Sequence, residues 1–289
     1  SGFGGCYSSQ HFFADCYLKL IDKSWKLYKL SGKERPVRNL LLTLCFDSAR
    51  YHGWQIQPNA VTVQEVLQNA LVSVMQEKPN LKGCSRTDAG VHARMFCVSF
   101  HTQSRIPCGR LVDALNHFLP PDVAVQACRE VPEDFHARYS CKGKQYVYQI
   151  WNAPVRSPFL YQRVLHYWYP LDETQLNAAA AQYVGSHDFT SFCTLDKRES
   201  RNFTRKVTQA EVRRKGNLVC FSVSADGFLY NMVRILTGTL LYVAQGKIAP
   251  DAIPKIFASK DRTRAGPTAP PQGLYLNRVF YKEADLHAD

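Results

Sequence analysis

Segments with strand-like and helix-like apolar spacing alternate along this chain, and this alternation restricts its fold more than any other feature. Its first half reads strand, helix, strand, strand, helix, strand. The strand patterns are Arg38–Phe46, Leu81–Arg86, Arg94–His101 and Val123–Val131. One helix begins after Thr62, which forms a capping box with Glu65, and the other opens at Pro107 and runs to about Leu119.

The second half has the same mixed character. Its strand patterns are Tyr146–Trp151, Val164–Tyr169, Val207–Arg214, Leu218–Ala225 and Leu274–Tyr281. Its helix patterns are Asp172–Val184, Phe228–Gln245 and Pro250–Ser259. The sequence therefore predicts an α+β protein with two similar halves, each a mixed or antiparallel sheet backed by helices. We expect the halves to span residues 39–140 and 141–283.

The N-terminal extension, residues 1–38, has no assigned role. Within it, Tyr17–Leu30 mixes aromatic residues with lysines and could form an amphipathic helix. The extension lacks both the apolar core of a signal peptide and the arginine-rich composition of a transit peptide.

Charge and cysteine content restrict the partner and the compartment. The formal net charge of +12, from 36 basic and 24 acidic residues, suits nucleic acid or an anionic membrane. Apolar runs of about 18 residues, as needed to span a bilayer, are absent from the sequence. Ten cysteines occur without C-x-x-C pairs or zinc-ligand spacing, so we expect free thiols in the cytoplasm and no metal site.

The most informative chemistry lies in the segment Cys84-Ser85-Arg86-Thr87-Asp88-Ala89-Gly90-Val91-His92-Ala93. An Asp-Ala-Gly sequence is most often a turn in which the aspartate bonds its own backbone. Here, however, the turn joins two apolar strands, which would hold the Asp88 carboxylate on a rigid base. Arg86, two residues earlier, could keep that carboxylate ionised or bind a phosphate.

This segment resembles the catalytic motif of the tRNA pseudouridine synthase A family. Further resemblances follow in the family's order at Phe46–Gln55, Phe135–Arg138, Gly143–Tyr148, His187–Phe192, Phe228–Arg234 and Gly273–Leu276. The resemblance covers about residues 39 to 281. It implies that the sheets of the two halves join into one long sheet with the active cleft across it.

The resemblance also implies roles for particular residues. Asp88 is expected to be the one essential catalytic residue, with Arg234 paired to it. Tyr146 is expected to be the active-site tyrosine, and Leu274 to supply an apolar wall. The implied activity is isomerisation of uridine to pseudouridine in the anticodon stem-loop of tRNA, at tRNA positions 38 to 40. A homodimer that holds tRNA is implied, and the chemistry requires neither a metal nor a cofactor.

A basic run lies between residues 197 and 215. Its members include Arg198, Arg201, Arg205 and Lys206. Such a run is often a solvated hairpin, but in a protein of this charge it favours contact with RNA phosphates. Those contacts would offset the few kcal/mol, in order of magnitude, needed to flip a uridine out of a stem.

Three other functions compete with this interpretation. The chain could be a non-catalytic RNA-binding protein on the same scaffold, whose signature would be loss of Asp88 or Arg234; both are present. It could be a pseudouridine synthase that acts on another RNA. Alternatively, it could be a basic peripheral membrane protein that uses Tyr17–Leu30. A hydrolase is disfavoured, since adjacent residues such as Ser186-His187-Asp188 cannot form a triad.

Overall fold

The computed structural model describes residues 37–195 and 202–287. Its strands are β1 (Arg38–Phe46), β2 (Lys82–Gly83), β3 (His92–Thr102), β4 (Val123–Val131), β5 (Gly143–Trp151), β6 (Leu165–His166), β7 (Gly185–Asp188), β8 (Thr204–Lys215), β9 (Leu218–Ala225) and β10 (Leu274–Phe280). Its α-helices are α1 (Val63–Met75), α2 (Cys108–Phe118), α3 (Glu173–Ala181), α4 (Met232–Ala244) and α5 (Ile253–Ser259). The possible amphipathic helix Tyr17–Leu30 lies outside the described residues.

One mixed sheet runs through the described part of the chain, in the order β4-β1-β3-β10-β5-β9-β8-β7. The last strand, β10, closes the gap between the two halves. It runs parallel to β3, with Tyr275 opposite His92, and antiparallel to β5. The predicted α+β fold with joined sheets is therefore confirmed, and the seam of the sheet is the place where residues from both halves can meet.

Helices supply the apolar cover of the sheet. Helix α1 begins where predicted, since the Thr62 hydroxyl accepts a hydrogen bond from the Glu65 amide at 3.4 Å. It buries Val63, Leu67 and Leu71 completely. Burying each such side chain contributes about 1.5–3 kcal/mol. Helix α4 is apolar almost all round and lies in the core, as expected for a helix covered on several sides.

The start of α4 differs from the prediction. The apolar run suggested a helix from Phe228, but the helix begins at Met232. Asn231 adopts the left-handed conformation, with φ of 60°, and this prevents the helix from extending backwards. The four residues before Met232 are consequently free of helical geometry and face the cleft described below.

Several short elements also differ from expectation. Only Lys82 and Gly83 of the predicted strand Leu81–Arg86 pair with β3. Likewise, β6 retains two residues of the predicted strand Val164–Tyr169, and α3 ends at Ala181 instead of Val184. Strand β7 was not predicted, because its sequence Gly185–Asp188 has no apolar alternation. Within the described ranges, no helix is long and apolar enough to cross a membrane.

Candidate active site

The turn that carries Asp88 is fixed by backbone hydrogen bonds. The Val91 amide donates to the Asp88 carbonyl at 3.1 Å, which closes the turn itself. The amide of Trp54 donates to the Thr87 carbonyl at 3.0 Å and ties the turn to the loop that follows β1. Because these bonds involve only backbone atoms, they hold the turn without using the Asp88 side chain.

Gly53 permits the close approach of that loop. Its φ of +86° lies in the left-handed region that favours glycine. A Cβ atom at this position would overlap the carbonyl oxygen of Thr87 and lie 3.0 Å from the carbonyl carbon of Asp88. The neighbouring Trp54 ring packs on Phe96, with centroids 4.3 Å apart, and so anchors the loop in the core.

The Arg234 side chain reaches the turn from the first part of α4. Its Nη1 atom lies 3.8 Å from the Asp88 Oδ2 atom. Two shorter hydrogen bonds orient the guanidinium: Nε donates to the Ala269 carbonyl at 2.7 Å, and Nη1 donates to the Asn231 side chain at 2.8 Å. Arg234 is therefore positioned by its own half of the molecule before it meets Asp88.

The loop that holds Arg234 lies directly on α4. A Cβ atom on Gly238 would overlap the carbonyl oxygen of Pro267, so helix and loop touch backbone to backbone. The loop is also held by the Tyr148 hydroxyl, which donates to the Pro270 carbonyl at 2.7 Å. The proline-rich segment Gly266–Gln272 therefore supports the site by holding the carbonyl groups that orient Arg234.

Asp88 and Arg234 differ in their exposure. The Asp88 side chain is 39% exposed, whereas that of Arg234 is 17% exposed. Proximity of the guanidinium favours the ionised carboxylate. At 3.8 Å the two groups attract one another, yet the carboxylate keeps an open side towards a substrate.

Tyr146 forms the buried floor of the site. Its hydroxyl lies 3.1 Å from the Ser85 hydroxyl, and its ring meets the edge of Phe228 with centroids 5.1 Å apart. Burial raises the pKa of Tyr146 well above its usual range, and the hydrogen bond between its hydroxyl and that of Ser85 opposes that shift. The phenol is consequently neutral at physiological pH and can offer a hydroxyl hydrogen bond.

These groups line one open cleft of about 450 Å³ at the seam of the sheet. Five of its described lining residues carry a positive charge: Arg86, Arg138, Lys144, Arg205 and Arg234. Among the same residues, Asp88 is the only carboxylate. A cleft with this charge balance suits an anionic polymer bound around a single reactive acid group.

The structure brings most of the predicted site residues together. Lining the cleft are Asp88, Tyr146, Arg86, Arg234, Leu274 and Arg205. Lys206 is absent from the lining because neighbouring strand residues point to opposite faces of the sheet. Arg198 and Arg201 lie outside the described residues. Arg214, which the basic run also contained, instead bonds Glu173 and the Leu171 carbonyl.

Among the lining residues that sequence reasoning did not assign are two cations and an aromatic residue: Arg138, Lys144 and Phe228. Each lies inside a segment that resembles the family, so the segments were found but these side chains were not assigned. Arg138 is exposed and follows the buried residue Ala137, and Lys144 lies on β5 two residues before Tyr146. That spacing places Lys144 on the same face of the strand as the tyrosine, a signal that could have identified it.

A long mixed sheet with a cleft lined by five cations and one carboxylate, among the described residues, is typical of proteins that bind nucleic acid. Residues 48–140 and 179–282 match the family profile described as tRNA pseudouridine synthase. The chain belongs to this family, and it is therefore an isomerase.

Proteins named tRNA pseudouridine synthase A are similar to this chain over nearly their whole length. The protein of Ruminiclostridium cellulolyticum is 46% identical over 246 residues, which cover 85% of this chain and 100% of that protein. Those of Thermoanaerobacter sp. and Moorella thermoacetica are 44% and 46% identical, covering 85% and 84% of this chain and 100% and 99% of those proteins. A solved Cbf5-Nop10-Gar1 complex matches at 13% identity with a TM-score of 0.29, over 72% of this chain and 53% of that chain.

Proposed function

We propose that this chain converts uridine to pseudouridine in the anticodon stem-loop of tRNA, with Asp88 as its catalytic carboxylate. The observation that carries the proposal is the accessible Asp88 side chain, 3.8 Å from Arg234 in a cleft whose other charged lining residues are cationic. In this proposal, residues 39–140 supply Asp88, and residues 141–283 supply Arg234 and Tyr146.

The reaction rearranges bonds without a net change in composition. The bond between the ribose C1′ and uracil N1 breaks, the base turns, and a bond forms between C1′ and C5. The C5 proton is lost to solvent and N1 takes up a proton. No oxidant, reductant or second substrate is consumed, so the residues of the cleft need only bind, orient and move protons.

An ionised Asp88 serves each of three possible first steps. It can attack the sugar, attack the base, or remove the 2′ proton of the ribose. Arg234 favours the charged carboxylate and fixes its orientation in all three. We propose that Tyr146, as a neutral phenol beneath the base, stacks against uracil and provides a hydroxyl for proton exchange. Leu274 closes the apolar side of that site.

Access to a stem uridine requires that the nucleotide leave the helix, at a cost of a few kcal/mol in order of magnitude. The cations of the cleft can offset that cost through phosphate contacts. Arg86 is well placed for this role, since its exposed side chain lines the cleft and has no hydrogen bond or ion pair to residues 37–195 or 202–287. Arg138, Lys144 and Arg205 extend the positive surface around it.

The test is release of tritium from tRNA that carries 5-tritiated uridine, with the modified position mapped. Asp88→Asn should abolish release while tRNA affinity stays within about tenfold, because the substitution removes only the reactive charge. Asp261→Asn is the matched control, since that exposed carboxylate accepts a hydrogen bond from the Thr263 amide and does not line the cleft.

Turnover by Asp88→Asn would refute the catalytic assignment. Modification outside the anticodon stem-loop, or only of another RNA, would refute the target while keeping the chemistry. Binding without any release by the wild-type protein would instead identify a non-catalytic RNA-binding protein.

We also propose that the protein works as a homodimer, as the family resemblance implies. Exposed apolar side chains in the segment between β5 and α3 support this: Phe159 is 90% exposed, Val155 74%, Trp168 71% and Tyr161 70%. Large exposed aromatic residues are enriched at protein interfaces. Sedimentation velocity should show a dimer that Phe159→Ser with Trp168→Ser weakens, and a wild-type monomer at micromolar concentration would contradict the proposal.

A further inference from the structure

A buried histidine lies directly beneath the Asp88 turn. His92 begins β3, four residues after Asp88, and is only 1% exposed. Its Nδ1 atom accepts a hydrogen bond from the Ser48 amide at 3.0 Å, and its Nε2 atom lies 3.0 Å from the Gln162 carbonyl. The ring stacks on Tyr275, with centroids 4.7 Å apart. One imidazole thus joins three segments that are distant in sequence.

These contacts define the state of the ring. Because Nδ1 accepts from an amide and Nε2 faces a carbonyl, the proton belongs on Nε2 and the imidazole is neutral. Burial lowers the pKa of His92, and the nearby Asp47 carboxylate opposes this shift. The Asp47 carboxylate is in turn paired with Arg163 at 2.8 Å.

The loop anchored by this imidazole supports both ends of the Asp88 turn. The loop starts at Ser48, whose amide is bound by the ring. Further along, the Tyr51 carbonyl accepts from the Gly90 amide at 3.4 Å, and the Trp54 amide donates to the Thr87 carbonyl at 3.0 Å. Loss of the Ser48 bond would therefore loosen a loop that holds the residues on either side of Asp88.

We propose that His92 is a positioning residue for Asp88: its neutral imidazole, through Nδ1, locks the loop of residues 48–54 under the turn and keeps the carboxylate aligned with the substrate. This role rests on the proposed function of Asp88. It does not place the ring in contact with the substrate, because His92 is buried and does not line the cleft. A misplacement of about 1 Å can cost about 10²-fold in rate, so small loop movements would suffice.

Protonation would break this arrangement. A proton on Nδ1 would turn the acceptor into a donor, lose the Ser48 bond and favour Asp47, whose Oδ1 atom lies 3.1 Å away. The other charged groups around the ring are Arg163, paired to Asp47, and Arg94, which lies over the Tyr275 ring. Since folding lowers the pKa of His92 from about 6.5, the unfolded chain binds the proton more readily. Stability from this group is therefore present above about pH 6.5 and is lost as pH falls below it.

The experiment compares two conservative variants in tritium release and tRNA binding. The side-chain oxygen of Asn in His92→Asn can occupy the Nδ1 position and accept from Ser48, whereas His92→Gln reaches only the Nε2 position. We expect His92→Gln to lose about 10²-fold in kcat, with KM and tRNA affinity within about threefold of wild type. His92→Asn should retain kcat within about fivefold of wild type. Wild-type kcat should fall as pH drops through the lowered pKa of His92, and His92→Asn should lack that decline.

His101→Asn is the matched control, because that histidine lies on the same strand, bonds the Glu133 carbonyl and is remote from the turn. Its kcat should be unchanged. Equal losses of kcat in His92→Asn and His92→Gln that follow their melting temperatures would overturn the proposal, as would normal kcat in His92→Gln. Asp88→Asn, assayed alongside, separates the two ideas: if it remains active, the proposed function itself has failed.

Discussion

The Asp88 turn has a cleft face, which carries the Asp88 side chain, and a core face, which rests on His92 and the loop of residues 48–54. The two faces differ in exposure and in hydrogen bonding. On its cleft face, the Asp88 side chain is 39% exposed and its neighbouring cation lies 3.8 Å away. On its core face, the backbone of Thr87 is bound by Trp54, and His92 is buried with hydrogen bonds at both ring nitrogens. The carboxylate proposed as catalytic is partly exposed, whereas the backbone that carries it is held on several sides.

This difference separates chemistry from support. A carboxylate enclosed by as many contacts as the core face of the turn would be inaccessible to a substrate. A turn without those backbone contacts would not hold the carboxylate in place. We therefore expect substitutions on the core face to lower stability and activity together. Substitutions on the cleft face should lower activity or RNA affinity with little change in stability.

The largest effect should come from Gly53→Ala on the core face. The added methyl group would overlap the Thr87 carbonyl and displace the loop, so we expect a loss of several kcal/mol of stability and of measurable activity. Gly216→Ala is the control: it also has a positive φ, of 59°, but its Cβ would meet no atom within 4 Å. Strain alone should cost it roughly 1–2 kcal/mol, with normal kcat. Thermal unfolding and tritium release are measured for both variants. Equal losses of stability and activity in the two variants would show that the close contact between Gly53 and Thr87 is unimportant.

A second test uses two arginines with matched bonding. Arg234 donates to Ala269 and Asn231 beside the cleft, and Arg214 donates to Glu173 and Leu171 away from it. Lysine keeps the charge at either position but cannot reproduce the planar fork. We expect Arg234→Lys to lower kcat by about 10²-fold, since Asp88 loses an oriented partner.

Arg214→Lys should instead lower the melting temperature and leave kcat unchanged. Both quantities are read from unfolding scans and single-turnover tritium release. If the two variants lose kcat equally, the cleft face has no special dependence on an oriented cation, and the contrast between faces is wrong.

The sequence predicted the larger elements and the main charged and aromatic residues proposed for the site. Strand β1 and helix α1 follow from long apolar patterns and from the Thr62 cap, which are local signals. Asp88 was identified because its turn joins two apolar strand patterns near Arg86 and because its segment resembles the family's catalytic motif, and Arg234 because its segment resembles the family. Local pattern and family resemblance therefore supplied the residues, but not the contacts between them.

What escaped prediction depends on long-range geometry. The left-handed Asn231 shortened α4, and no propensity rule requires that conformation at this position. The contacts of His92 beneath the turn involve Gln162, seventy positions further along the chain, and β10, the strand near the C-terminus that pairs with β3. Periodicity reports which face of an element is buried, and it carries no information about which distant backbone group will meet a given side chain.

A smaller effect is expected on the floor of the cleft. Tyr146→Phe keeps the ring against Phe228 and removes only the hydroxyl that meets Ser85. We expect about a tenfold loss in kcat, with KM unchanged because stacking is retained. Because burial raises the pKa of Tyr146 above its usual range, wild-type kcat should not decline through phenol ionisation below about pH 10. A pH profile of both enzymes checks this, and a wild-type decline that Tyr146→Phe removes would contradict it.

The smallest effect is expected when two adjacent basic residues of β8 are compared, one on the cleft face and one outside it. Arg205 lines the cleft beside Gly227, whereas Lys206 is exposed and not part of the lining, with its backbone bonded to Asp226. Arg205→Ala should raise KM about fivefold and reduce the slope of log affinity against log salt by about one, because one phosphate contact is lost. Lys206→Ala should change neither quantity. Both are measured by tRNA binding at several salt concentrations. An equal effect of the two substitutions would mean that bound RNA contacts both sides of β8. The RNA-binding surface would then extend beyond the residues that line the cleft.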